Sequence, residues 1–75
     1  MKTRHYAVCV RTAQPRADLE VRKVYEVLVD REAARDNLIR VIDGSGEDYL
    51  YPAAWFVPIR VPPEAADALA EALST

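Results

Sequence analysis

Two glycines, one cysteine and one histidine are all that this chain of 75 residues offers of the types that most often announce a site. The lone Cys9 excludes an intrachain disulfide, and one cysteine with one histidine is too small a set of soft ligands for a zinc centre. His5 and Cys9 stand four apart and so share one face of a strand, yet a cysteine–histidine nucleophile also needs an orienting third group and an oxyanion hole. Neither is visible, and the chain reads as non-enzymatic, with no cofactor motif. Long apolar runs are missing too, which excludes a bilayer-spanning helix. The opening MKTRHYAVCVR has no apolar stretch followed by a small-residue cleavage site, so no signal peptide is expected and the expected location is cytoplasmic.

Charge of one sign is also lacking. Ten basic residues face twelve acidic ones, a formal net charge of −2 with the signs interspersed, so a polyanion partner is not advertised. Eight of the ten basic residues are arginine, at positions 4, 11, 16, 22, 31, 35, 40 and 60. Their planar forks suit carboxylate or phosphate contacts, although an arginine- and alanine-rich composition equally follows from a GC-rich genome. No internal repeat, low-complexity tract or linker divides the chain, so residues 1–75 form one domain. At this length a fold hides only about 60% of the surface of its unfolded chain, so the core is thin.

What is present is strand chemistry. His5 to Val10 puts Tyr6, Val8 and Val10 on one face and Ala7 and Cys9 on the other, as in a strand covered on both sides, with Cys9 a small buried hydrophobe. Arg11 to Asp18 has no apolar period and reads as an exposed loop. Lys23 to Asp30, dense in β-branched and aromatic residues, is a second strand. REAARDN forms one or two helical turns that Asn37 ends in a left-handed conformation.

Leu38 to Asp43 and Asp48 to Pro52 make a hairpin, whose glycines Gly44 and Gly46 supply positive φ angles. Pro52 ends the ladder, Ala53 and Ala54 lead to Trp55 and Phe56, and Val57 to Val61 is a last strand whose Pro58 is tolerated best at an edge. Pro62-Pro63 then opens a helix over 63–73. Ala65, Ala66, Leu69, Ala70 and Leu73 form its apolar stripe, which must dock on the strands or on a second chain, because so short a helix is marginal alone. The helix is thus a candidate homodimer contact, with Leu69 and Leu73 buried.

Five short strands, a long loop after the first, a glycine hairpin and a proline-led aromatic turn before the last strand resemble a small SH3-like barrel. YPAAWFV carries that likeness. The acidic loop and tryptophan pair of peptide-binding SH3 domains are not recognisable. LEVRKVYEVL together with RVIDGSGEDYLYP looks, over roughly Val8 to Leu69, like a family of small uncharacterised bacterial proteins in which an L-E-x-x-K-x-Y strand and an S-G-E-D-Y-L-Y-P hairpin recur. That pattern carries glycine where this chain has Arg22 and a larger residue where it has Gly44. The resemblance implies a fold and no established activity.

Two constellations invite a functional reading. Asp43, Ser45, Glu47 and Asp48 gather oxygens within six residues, but DGSGED lacks the alternating acids and the distant bidentate glutamate of a calcium loop. A solvated hairpin is the reading preferred, with no metal. Tyr25, Tyr49, Tyr51, Trp55 and Phe56 form an aromatic set from which Phe56 and one tyrosine are expected inside. Tyr49 and Tyr51 alternate with Leu50, and a small barrel houses the leucine more readily than two phenols. Both tyrosines are therefore expected to be at least partly exposed beside Trp55, forming with Arg16 of the long loop a surface for a protein segment. The alternative is a nucleic-acid-binding barrel that stacks bases on Tyr49, Tyr51 or Trp55 and holds phosphates with Arg11, Arg16, Arg40 and Arg60, against which the net acidity weighs.

Overall fold

A computed structural model describes residues 4–12 and 18–73. Its elements run β1 (His5–Cys9), β2 (Val24–Leu28), α1 (Arg31–Arg35), β3 (Leu38–Ile42), β4 (Asp48–Pro52), a single 3-10 turn (Ala53–Trp55), β5 (Phe56–Ile59) and α2 (Pro63–Leu73). The five strands form one antiparallel sheet in the order β4-β3-β2-β1-β5. The fold is mainly β with a C-terminal helix as expected, and the sheet is not closed, since β4 and β5 are its two edges and do not pair with each other. No helix among the described residues is long and apolar enough to cross a membrane.

The registers place Ala7, Tyr25, Val41, Tyr51 and Phe56 on one face, and together with Cys9 and Leu19 they make the core. Tyr25 meets Phe56 edge-on at 6.3 Å between ring centroids. Cys9 is fully buried, as its valine flanks imply. Tyr6 is buried on the opposite face, which is covered there and opens toward the exposed Val10 and Val57, and the Tyr6 hydroxyl has no hydrogen-bond partner among the described residues.

Local backbone chemistry sets the turns, as expected at Asn37 and Gly46 and not at Gly44. Asp30 caps α1 by accepting from the Ala33 amide at 2.9 Å, and Asn37 ends that turn with φ 59°. Arg22 also has positive φ, at 77°, in the turn that joins β1 to β2. In the hairpin only Gly46 is left-handed, with φ 87°; at Gly44 the backbone of Asp18 comes close instead, and a Cβ there would lie 3.2 Å from the Asp18 carbonyl oxygen. The Gly44 amide donates to that same oxygen at 2.8 Å.

α2 spans the predicted residues but docks more loosely than its stripe implies. It packs on β2, none of its residues is fully buried, and Leu73 is exposed while Leu69 is half-buried. The physical reason is composition: an alanine-rich stripe has little side-chain volume to sink into a sheet. Between its C-terminal half, β2 and the hairpin lies an open cleft of about 610 Å³, walled by Arg4, Val24, Glu26, Ile42, Ser45 and Ala70.

Candidate functional site

The aromatic residues singled out above do not share one surface. Tyr51 is 3% exposed and belongs to the core, which corrects the expectation that both hairpin tyrosines face solvent. The alternation was right and the polarity inverted: the tyrosines take the core face and Leu50, 42% exposed, takes the outer one. Tyr51 is accommodated because its hydroxyl is satisfied, donating to Asp43 Oδ2 at 2.7 Å, and because its ring meets Trp55 at 6.1 Å and Phe56 at 6.0 Å. Trp55 is half-buried against this cluster. Tyr49, at the end of the core face, is 45% exposed. Its hydroxyl donates to Glu47 Oε2 at 2.8 Å, which raises its pKa above the ordinary tyrosine value. Arg16 lies outside the described residues.

The oxygens of DGSGED serve the turn. Asp43 is buried, and its Oδ1 accepts from both the amide and the hydroxyl of Ser45 while Oδ2 takes the Tyr51 proton donor. No group of three metal-ligating side chains occurs among the described residues. Cys9 directs its thiol at the Arg11 carbonyl, 3.5 Å away, and His5 is exposed at the far end of the same strand. Arg40 is held from two sides, its Nε donating to Asp30 Oδ2 and its Nη1 to Asp48 Oδ2, both at 2.8 Å. These contacts raise the Arg40 pKa, and the Ala33 amide together with Arg40 holds the Asp30 carboxyl below its usual range.

The group that side-chain reasoning overlooked is the backbone of β4. In an antiparallel ladder the N–H and C=O of one residue point to the same side, and successive residues alternate. Asp43 N donates to Glu47 O at 3.1 Å and Ala53 N to Asn37 O at 2.9 Å, so the odd-numbered residues of β4 bond toward β3. Asp48 and Leu50 therefore aim their N–H and C=O outward, where no described residue pairs with them. The same parity on the other edge follows from Val10 N donating to Trp55 O, which turns Phe56 and Pro58 outward on β5. Proline removes an outward N–H from both edges, in the interior of β5 at Pro58 but only at the end of β4 at Pro52, so the β5 edge is blunted mid-strand while Asp48 and Leu50 leave β4 open along most of its length.

Around the open edge stand Tyr49 on the core face and Leu50 on the outer face, both exposed, with Leu28 and Arg40 in the row behind Leu50. The sequence signal for this was available, since Pro58 had marked one edge strand and hairpin parity marks the other.

No protein-family model, no curated protein and no solved structure matches the chain.

Proposed function

We propose that this chain is a non-enzymatic interaction module whose β4 edge takes up an extended protein segment as an added strand. The observation that carries the reading is the contrast between the two edges: β5 loses a donor in its interior at Pro58, whereas β4 loses one only at its end, at Pro52, and keeps the outward donors and acceptors of Asp48 and Leu50. Strand addition draws its affinity from main-chain hydrogen bonds and its selectivity from alternate side chains, which here meet Tyr49 on one face and Leu50 on the other. Tyrosine contributes contact area and a hydrogen bond at small entropy cost.

An SH3-like fold belongs to the same proposal. Its support is the element order, with the 3-10 turn that carries Trp55 standing directly before β5. The nucleic-acid alternative is weaker, because Arg40 is already committed to Asp30 and Asp48.

A displayed library of extended peptides, selected against the whole chain, tests the reading. Bound peptides are expected to shift the backbone NMR signals of residues 48–50 and to lose affinity with Leu50→Lys; peptides that instead perturb α2 or β5 overturn it.

A further inference from the structure

We infer that the strand which pairs with the β4 edge is β4 of a second copy of this chain, in an antiparallel register centred on Tyr49. The inference rests on the proposal that this edge accepts a strand, and it names the occupant. A two-fold axis beside β4 makes the contact self-complementary, so each candidate register is fixed by the residue that meets its own copy.

The backbone selects among those registers. A register centred between two residues would set outward-pointing groups against inward-pointing ones and forms no ladder. Centring on Leu50 places Asp48 opposite Pro52, which has no N–H to give, so each such pair loses a bond. Centring on Asp48 brings two carboxylates face to face, a destabilising arrangement. Centring on Tyr49 pairs Asp48 with Leu50 of the second copy and Leu50 with its Asp48, so every outward N–H and C=O of these two residues is satisfied.

The side chains agree with that register. Tyr49 meets its own copy as a non-hydrogen-bonded pair, in which Cα atoms stand about 4.5 Å apart and aromatic rings pack well. The two Leu50 side chains, both exposed in the single chain, become diagonal neighbours on the outer face. Each Asp48 lies opposite a leucine and away from its own copy, and it is already neutralised by Arg40 at 2.8 Å. Short strands paired along one edge bury less than the roughly 1,200 Å² typical of stable specific interfaces, so the dimer is weak and forms as concentration rises.

Sedimentation velocity of the full chain over a concentration series, combined with cysteine cross-linking, is the test. Tyr49→Cys is expected to give a disulfide-linked dimer under mild oxidation, because facing Cα atoms fall within disulfide reach, whereas Leu50→Cys is not. Cys9 is buried and does not compete. Leu50→Lys is expected to weaken the dimer at least about tenfold, as a lysine on an exposed edge does. Efficient cross-linking through Leu50→Cys overturns the register. A chain that stays monomeric at every concentration overturns the self-pairing, and if library peptides still dock at residues 48–50 the strand-addition reading survives it. If neither a second copy nor any peptide occupies the edge, both fall.

Discussion

The Tyr51 hydroxyl donates to Asp43 Oδ2 at 2.7 Å, joining the two ends of the β3–β4 hairpin through one buried contact. It explains why a residue that looked like a recognition tyrosine is core: the phenol finds an acceptor inside and so bears no penalty for leaving water. Tyr6 is the opposite case, equally buried, its hydroxyl without a partner among the described residues.

The two tyrosines should therefore respond in opposite directions to loss of the hydroxyl. Tyr51→Phe strips a donor from a buried carboxylate and is expected to lower stability by about 1–3 kcal/mol, whereas Tyr6→Phe is expected to be neutral or stabilising. Urea unfolding of the two variants beside the parent measures both; equal losses would contradict the assignment.

Backbone strain makes a second pair. Gly46 has open space around its Cβ position, so Gly46→Val fails through its φ of 87° and not through a clash, with an expected cost of about 1–2 kcal/mol. Arg22 is a non-glycine residue in the same region, and Arg22→Gly is expected to stabilise by about 0.5–1 kcal/mol. Thermal midpoints of both variants check the signs, and an unchanged midpoint for Gly46→Val would refute the turn.

How much of this could be read from the residues alone varies with the kind of force involved. The ends of α2, the extent of β4, the left-handed Asn37 and the edge position of Pro58 follow from local rules of proline, glycine, asparagine and alternation. The inward turn of Tyr51 does not, because it depends on an acid eight positions earlier closing over it. Nor does the weak docking of α2, since a pattern of alanines and leucines does not reveal how closely a helix approaches its sheet. The open sheet was hidden for a related reason: closing β4 to β5 is a long-range choice with no local residue to mark it.

Acid should act through Asp30. Its carboxyl is held below its usual 3.8 by the Ala33 amide and Arg40, so its contribution is complete above that value and is lost as pH falls through the lower, folded value. Asp30→Asn keeps a capping oxygen but loses the charge. It is expected to melt below the parent at neutral pH, with the gap narrowing below pH 3.8. A gap independent of pH would remove Asp30 as the titrating group.

Truncation after Pro62 isolates the role of α2. Because no residue of that helix is fully buried, the shortened chain is expected to keep the sheet and lose only part of its thermal stability. Circular dichroism that reports an unfolded chain would show the helix to be essential, while an unchanged midpoint would show that it is not docked at all.

The claim on which the functional account turns is that β4 has one satisfied side and one open side. Backbone amide hydrogen exchange, followed residue by residue in dilute solution, measures this directly. The predicted result is fast exchange at Asp48 and Leu50 beside slow exchange at Tyr49 and Tyr51, with Asp48 and Leu50 slowing when a strand is supplied by peptide or by raising the concentration of the chain. Protection of Asp48 and Leu50 in the dilute chain, or exchange there that stays fast once a partner is bound, would contradict it.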